Sequence, residues 1–231
     1  EALPRVGGVP IMCAYLGAVG LFLLSPLSSQ GNAEAGFQWA WKVLPAAGLV
    51  LALGLVDDLR GLTPWQKLAG QLVAASAAFY AGVRITAIAG FSLDLWLSLP
   101  ATIVWLVCCC NALNLIDGVD GLATGAGWFA TVTIALGALL QDNLALAVAT
   151  VPLAGALLGF LRYNSSPASI FLGDSGSLTL GFVLAAVALG TDYSQINPLG
   201  VYAPLLILLV PMYDTFFVMI IPSPPVTSST P

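Results

Sequence analysis

Long apolar segments alternate with short polar connections along almost the whole chain. A helix that crosses about 30 Å of hydrocarbon needs roughly 20 mostly apolar residues. A window of about that length selects segments at residues 8–27, 39–56, 66–82, 96–113, 122–140, 143–161, 176–191 and 199–221. The pattern therefore predicts an all-α polytopic membrane protein with about eight transmembrane helices.

Residues 1–221 are expected to form a single transmembrane domain, because they contain every predicted helix and no internal repeat divides them. Residues 222–231 are rich in Pro, Ser and Thr and have no apolar periodicity. A segment of this composition is expected to be a disordered or foreign tail.

The composition limits the chemistry that the chain can perform. It is 59% hydrophobic and 7% charged, whereas soluble domains carry about 25% charged residues. It has no histidine, which excludes imidazole bases and His-ligated zinc. The four cysteines lie in apolar segments without the spacing of a zinc motif or disulfide framework. The net charge of -5 argues against a nucleic-acid partner. Catalysis must then use carboxylates, amides and a few cations.

Alternation of the predicted helices assigns each polar connection to one of two membrane faces. One face receives Arg5, Arg60, Lys67 and Arg162, and the other receives Lys42 and Arg84. The excess of positive residues places the first face in the cytoplasm. The same face receives the aspartates of three separate connections, which are Asp57, Asp58, Asp117, Asp120 and Asp174.

Acidic residues near membrane depth are costly and usually mark a site. Carboxylates together with the amides of Asn111 and Asn114 form an oxygen-rich ligand set that suits Mg²⁺, with Mn²⁺ as an alternative. Lys67, Arg5 and Arg60 add the positive charge that a diphosphate requires. The same connections contain the glycines Gly118, Gly121, Gly173 and Gly176. Glycine allows backbone N–H groups to approach a phosphate closely.

Each acidic motif also has a simpler explanation when it is considered alone. The pair Asp57 and Asp58 is typical of a solvated helix end. The stretch "DGVDG" resembles part of a calcium loop but lacks the spacing of an EF-hand. In "GDSGS", Asp174 or Ser175 could be the N-cap of a helix. Asp214 lies in the last apolar segment, and its role stays open.

The stretches "RVGGVPI", "GLVDDLRGLTPWQKLAGQ", "NALNLIDGVDGLATG" and "FLGDSGSLTLGF" together resemble the polyprenyl-phosphate N-acetylhexosamine-1-phosphate transferases, which are bacterial enzymes of the glycosyltransferase family 4 type. The resemblance implies transfer of a sugar 1-phosphate, GlcNAc-1-phosphate by preference, from a UDP-sugar to polyprenyl phosphate with release of UMP and with Mg²⁺. It also implies a multi-pass protein of the bacterial inner membrane, with membrane lipid around it and the site facing the cytoplasm.

The resemblance assigns expected roles to the polar residues. Asp174 and Asn114 would be magnesium ligands, Asp57 and Asp58 would lie beside the lipid phosphate, and Lys67 would contact phosphate. Asn111, Asp117 and Asp120 would line the nucleotide side. The catalytic candidates are thus Asp57, Asp58, Asp117 and Asp174, and the substrate-binding candidates are Lys67, Asn111, Asn114, Asp120 and Gly173.

Two mechanisms are compatible with these residues. Either the lipid phosphate attacks the UDP-sugar directly, or Asp57 or Asp58 first forms an aspartyl-phosphate. Direct displacement is preferred, because a phosphate monoester with a second pKa near 6 is already largely ionised at neutral pH and gains little from a base.

Three other functions are retained as alternatives. They are a phospho-MurNAc-pentapeptide transferase, an inactive relative and an ion-coupled transporter. The transporter is disfavoured, because such proteins bind their substrates near the membrane midplane, usually between inverted repeats.

Whether the chain forms a homodimer stays open. The resemblance also predicts that residues 1–221 are an incomplete catalytic domain and that the whole enzyme is about 100 residues longer, with helices before the first motif and a basic, His-containing loop and helices after the last.

Overall fold

The computed structural model describes residues 4–25, 33–88 and 91–190. Within these ranges the chain forms the helices α1 (Gly8–Leu24), α2 (Ala33–Arg60), α3 (Pro64–Tyr80), α4 (Leu95–Ile116), α5 (Leu122–Leu140), α6 (Leu144–Asn164) and α7 (Gly173–Leu189). The predicted helical class is confirmed, with one small addition. The antiparallel strands β1 (Ala87–Ile88) and β2 (Phe91–Ser92) form a short hairpin between α3 and α4. The predicted helix at 199–221, the tail at 222–231 and Asp214 lie outside the described residues.

Among the described residues, four helices are long and apolar enough to cross a membrane. They are α4, α5, α6 and the part Ala40–Arg60 of α2. Two further helices, α1 and α7, are apolar but shorter. These helices give a polytopic membrane protein, and the number of eight spans stays a prediction.

Three of the described helices end later than their apolar segments predicted. The helix α2 ends at Arg60 instead of residue 56, α4 at Ile116 instead of residue 113 and α6 at Asn164 instead of residue 161. A hydropathy window stops where polar residues begin, whereas the backbone of α2 stays helical until Gly61, whose φ of +69° favours glycine. Asp57, Asp58 and Asn114 therefore lie on the last turns of helices, which hold them more rigidly than loops would.

The centre of the bundle is α7, which contacts α1, α2, α4, α5 and α6. Every residue from Ser175 to Ala188 is buried. A helix that is apolar on all sides is satisfied in the interior of a bundle, because each face can pack against a neighbour. The indole of Trp105 on α4 also donates a hydrogen bond of 3.0 Å to the carbonyl oxygen of Ala185.

Close backbone packing fixes the start of α7. A Cβ atom added to Gly8 on α1 or to Gly54 on α2 would lie 2.5 Å from backbone atoms of Ser175. Only glycine allows this approach, as is common where membrane helices pack closely. The first turn of α7 is therefore held between α1 and α2, and this places Asp174 at one end of the bundle.

Candidate active site

The ends of the helices that carry the predicted site residues meet at one end of the bundle, which we call the cleft end. There α2, α4 and α6 end, and α1, α3, α5 and α7 begin. A cleft of about 390 Å³ opens at this end. Its lining includes Arg5 and five aspartates, which are Asp57, Asp58, Asp117, Asp120 and Asp174. The remaining lining residues are Gly118, Val119, Asn164, Phe171 and Gly173.

The carboxylate of Asp58 caps α7 from the end of α2. Its Oδ1 accepts a hydrogen bond from the backbone N–H of Asp174 at 2.8 Å, and its Oδ2 accepts one from Ser175 at 2.9 Å. The first N–H groups of a helix have no partner inside the helix, and they favour a negative charge. The sequence suggested Asp174 or Ser175 as the N-cap. That suggestion is wrong, because the helix begins at Gly173 and both residues lie inside its first turn.

Lys67 joins the end of α2 to the start of α7. Its ammonium forms an ion pair with Asp57 and a second one of 2.7 Å with Oδ2 of Asp174. Asp57 also accepts a hydrogen bond of 2.6 Å from the backbone N–H of Leu62, and this bond holds the turn between α2 and α3. The start of α3 is fixed by a capping box between Thr63 and Gln66. Lys67, one residue beyond this box, is therefore held on a well-defined helix.

The second oxygen of Asp174 is bound from α4. The amide nitrogen of Asn114 donates hydrogen bonds of 2.6 Å to Asp174 Oδ1 and 2.9 Å to the hydroxyl of Ser177. Both carboxylate oxygens of Asp174 are thus held, one by Lys67 and one by Asn114. These two residues do not line the cleft themselves but contact the carboxylate that does.

Asp117 lies directly after α4 and lines the cleft. The pKa of its carboxyl is raised from 3.8 to about 7, first by burial and then by the nearby charges of Asp174 and Asp58, whereas a hydrogen bond from the backbone of Gly173 lowers it. A bound cation would favour the ionised form of Asp117.

The other two predicted residues are placed differently. Asp120 lines the cleft, and its Oδ2 accepts a hydrogen bond of 3.0 Å from the backbone N–H of Ala168, which ties down the segment before α7. Asn111 is not part of the cleft lining. Its side chain pairs with Gln71 on α3, one helical turn deeper than Asn114.

Three lining residues were not singled out from the sequence, which are Val119, Asn164 and Phe171. Asn164 is 2% exposed, accepts a hydrogen bond from Thr124 at 2.6 Å and donates one to the carbonyl oxygen of Ile170 at 3.0 Å. Phe171 precedes the "LGDSGS" stretch, and its N–H donates to the carbonyl oxygen of Pro4 at 3.1 Å. An aromatic residue inside a polar connection was the signal that would have identified Phe171.

The residues of the cleft fit a magnesium ion in chemistry and in charge. The donors are carboxylate and amide oxygens. Arg5 lines the cleft beside the five aspartates, and Lys67 pairs with two of them, Asp57 and Asp174. Within the described ranges, no three carboxylates are grouped closely enough to hold a metal alone. Mg²⁺ commonly takes one or two carboxylates together with substrate phosphates and water.

Comparison with known proteins gives a match to the model of glycosyl transferase family 4 over residues 40–192. A probable undecaprenyl-phosphate N-acetylglucosaminyl 1-phosphate transferase of Bacillus subtilis (strain 168) is 33% identical over 226 residues, which cover 95% of this chain and 60% of that protein. The decaprenyl-phosphate N-acetylglucosaminephosphotransferase of Mycobacterium tuberculosis (strain ATCC 25618 / H37Rv) is 36% identical over 200 residues, which cover 80% and 49%.

A third relative carries a different name. The phospho-N-acetylmuramoyl-pentapeptide-transferase of Halalkalibacterium halodurans is 42% identical over 154 residues, which cover 59% of this chain and 47% of that protein. The chain thus spans from 47% to 60% of the length of these curated relatives.

Proposed function

The chain belongs to glycosyl transferase family 4, and from this premise we propose that it transfers GlcNAc-1-phosphate from UDP-GlcNAc to a polyprenyl phosphate and releases UMP, in the first membrane step of cell-envelope glycan synthesis. The observation that carries the proposal is the position of Asp174. It lies in an acidic cleft at the end of a membrane bundle, and it is held by Lys67 and Asn114 beside the start of α7. Two of the relatives carry names that specify GlcNAc transfer to such lipids.

The proposed reaction is a displacement at phosphorus. An oxygen of the lipid phosphate forms a bond to the β-phosphorus of UDP-GlcNAc. The bond from that phosphorus to the bridging oxygen breaks, and UMP leaves with the electron pair. Such transfers depend mainly on positioning and on neutralising charge. The cations Lys67 and Arg5 would serve that purpose at the cleft end.

The contacts of the two neighbouring aspartates support direct attack by the lipid phosphate. Asp57 is engaged by Lys67 and by the backbone of Leu62, and both oxygens of Asp58 accept backbone N–H groups of α7. A carboxylate engaged in this way is a poor nucleophile. We therefore assign Asp57 to holding Lys67 and Asp58 to holding the first turn of α7, and we disfavour an aspartyl-phosphate intermediate.

For the metal, we propose that Asp174 and Asn114 hold Mg²⁺ together with phosphate oxygens. The excess of carboxylates in the cleft supports this assignment, and the two side chains are adjacent, with Asn114 Nδ2 2.6 Å from Asp174 Oδ1. When bound, the ion would supply positive charge to the diphosphate. Mn²⁺ would suit the same oxygen donors.

For the nucleotide, we propose Asp117 and Asp120, which the resemblance assigned to the nucleotide side together with Asn111. Asn164 and Phe171 line the same cleft, and we propose that they contribute to this subsite. Phe171 is the aromatic residue of the lining, and an aromatic ring offers a surface on which a uracil base can stack.

For the location, we propose the bacterial inner membrane with the cleft end facing the cytoplasm. Arg5, Arg60, Lys67 and Arg162 lie at the cleft end, whereas Lys42 and Arg84 lie toward the opposite end. This bias follows the positive-inside rule. A site at the membrane surface is also accessible to both a water-soluble UDP-sugar and a lipid phosphate.

The second candidate donor is UDP-MurNAc-pentapeptide, which the 42% identity to the H. halodurans relative favours. The two donors are best tested in parallel, with membranes that contain the protein, polyprenyl phosphate and Mg²⁺. We expect labelled sugar phosphate to enter the lipid fraction from UDP-GlcNAc and not from the pentapeptide donor. Incorporation from the pentapeptide donor alone would reverse the assignment, and incorporation from neither would reject both functions.

A further inference from the structure

We infer that Gln71 is a positioning residue, because its amide pairs with that of Asn111 and thereby fixes Lys67 and Asn114 against Asp174. The inference deepens the proposed function and rests on it. It also gives Asn111 a different role from the substrate contact that the sequence predicted.

The pair consists of two amides that bind each other reciprocally between α3 and α4. Asn111 Nδ2 donates to Gln71 Oε1 at 2.7 Å, and Gln71 Nε2 donates to Asn111 Oδ1 at 3.3 Å. Asn111 Nδ2 also donates to the carbonyl oxygen of Val107 at 2.8 Å, which orients its amide. Gln71 is 1% exposed, although its side chain is polar. A buried polar side chain that satisfies a single partner on another helix indicates a specific link between the two helices.

The position of the pair connects it to the site. Gln71 follows Lys67 by four residues on α3, and Asn111 precedes Asn114 by three residues on α4. Residues three or four apart lie on the same helix face, one turn above the other. The pair is therefore one turn deeper than the two side chains that hold the oxygens of Asp174.

Those two contacts are short and depend on the relative height of α3 and α4, which is the displacement of one helix against the other along the bundle axis. Lys67 Nζ lies 2.7 Å from Asp174 Oδ2, and Asn114 Nδ2 lies 2.6 Å from Asp174 Oδ1. An apolar pair at the deeper level would pack without fixing that height. The amide pair fixes it, because a shift of one helix along the other breaks the reciprocal bonds and leaves buried polar atoms without partners.

The experiment uses the protein in membranes and four variants. Gln71→Leu removes the pair, Gln71→Asn shortens it, and Gln71→Asn combined with Asn111→Gln exchanges the two side chains and restores the combined length. Gln141→Leu is the matched control, because Gln141 lies at the opposite end of the bundle after α5 and the hydrogen-bond donor of its amide has no partner. We expect Gln71→Leu and Gln71→Asn to lower kcat/KM for UMP release by about tenfold or more. We expect the exchanged pair to recover most of that loss and the control to behave as wild type.

A second measurement does not depend on activity. The chain has two lysines, Lys42 and Lys67. Release of Lys67 from its carboxylates should increase its labelling by an amine-reactive reagent, measured by mass spectrometry relative to the exposed Lys42. We expect a higher ratio in Gln71→Leu and Gln71→Asn, and a wild-type ratio in the exchanged pair and in the control.

The outcomes separate the inference from the proposed function. Wild-type protein without any transfer would reject the function, and the labelling ratio would still test the inference. An unchanged labelling ratio in both single variants would overturn the inference. So would a kcat/KM in the exchanged pair as low as that of the single variants. If Gln71→Leu does not accumulate in membranes, the milder Gln71→Asn supplies the same two comparisons.

Discussion

The two ends of the bundle are built in different ways. At the cleft end, side chains connect residues that are far apart in the sequence, as in the bonds of Asp58 to Asp174 and of Asp120 to Ala168. At the opposite end, the polar groups bond residues that are much closer in the sequence. There Asn143 accepts a hydrogen bond from Leu146 three residues later, and Thr102 accepts one from Ile85 seventeen residues earlier.

The difference shows which end carries a requirement beyond folding. The backbone hydrogen-bonding groups of turns and helix ends can find partners nearby in the sequence, as Asn143 and Leu146 do at the opposite end. The cleft end instead gathers five carboxylates in the lining of one cleft, which costs stability through like-charge repulsion and burial. Proteins accept such local conflicts mainly at functional sites. The following changes test whether the two ends differ as this comparison implies.

The largest effect is expected from Asp174→Asn. The change removes the negative charge that Lys67 and Asn114 hold in the cleft, and we expect the transfer rate to fall by about 10²–10³-fold or more. The amount of protein in the membrane should not change. The rate is measured as release of UMP at saturating UDP-GlcNAc.

Asp94→Asn is the control for this prediction. Asp94 precedes α4 at the opposite end, and its side chain makes no capping hydrogen bond there. Its rate should stay within about threefold of wild type, since surface changes away from a site are usually small. Wild-type activity in Asp174→Asn would remove this residue from the proposed metal site.

The next effect concerns the approach of α2 to α7. In Gly54→Ala the new methyl group would lie 2.5 Å from the backbone of Ser175, so the first turn of α7 must move away from Asp58. We expect a loss of about 1–3 kcal/mol in the free energy of unfolding, which is usual for overpacking, together with a lower transfer rate. Both can be measured on the purified protein in detergent.

The matched control is Gly48→Ala on the same helix. A Cβ atom at Gly48 would meet nothing within 4 Å. Its stability should equal that of wild type or exceed it, because alanine has the higher helix propensity. Equal destabilisation by both changes would mean that the close contact with Ser175 does not matter.

The sequence predicted much of the fold but few of the side-chain hydrogen bonds at the cleft end. Apolar length alone located α5 at 122–140, where the structure has Leu122–Leu140. It could not place the end of α2, because Asp57 and Asp58 read as polar while their backbone stays helical. The cap that Asp58 provides for α7 spans 116 positions, and no local pattern encodes such a bond.

The sequence likewise predicted the position of some site residues and not of others. Alternation of the helices predicted that Asp57, Asp117 and Asp174 would share one end, and the described residues place them there. The same reasoning grouped Asn111 with Asn114, although only Asn114 contacts Asp174. The difference is one helical turn of depth, which depends on how α3 packs against α4 and therefore on tertiary contacts.

A smaller effect is expected from pH. The pKa of Asp117 is raised from 3.8 to about 7, with burial as the largest cause. Between these two values the folded protein binds more protons at this residue than the unfolded chain does. The free energy of unfolding should therefore fall as the pH rises through this range and become level above it.

The variant Asp117→Asn removes this titration. We expect its melting temperature to depend less on pH than that of wild type between pH of about 5 and about 8. The direction of the pH dependence is as important as its size. If wild type becomes more stable relative to Asp117→Asn as the pH rises toward 7, the raised pKa is contradicted. Equal slopes in wild type and variant would also contradict it.

The smallest effect is expected at the opposite end. Asn143→Ala removes the side-chain bond to Leu146 at the start of α6, which should cost about 1 kcal/mol of stability. The transfer rate per folded molecule should not change, because this cap has no connection to the cleft. A large loss of rate would show that the two ends are coupled, and the comparison would then fail.

The most direct measurement of the central claim is the exchange of radiolabelled UMP into UDP-GlcNAc. It uses purified, lipid-depleted protein with Mg²⁺, with and without added polyprenyl phosphate. We predict exchange only when the lipid phosphate is present, since direct displacement requires it to carry the sugar phosphate. Exchange without the lipid would instead indicate an aspartyl-phosphate intermediate. If a preparation that retains its folded state shows no exchange under either condition, the cleft end is not a phosphoglycosyl transfer site.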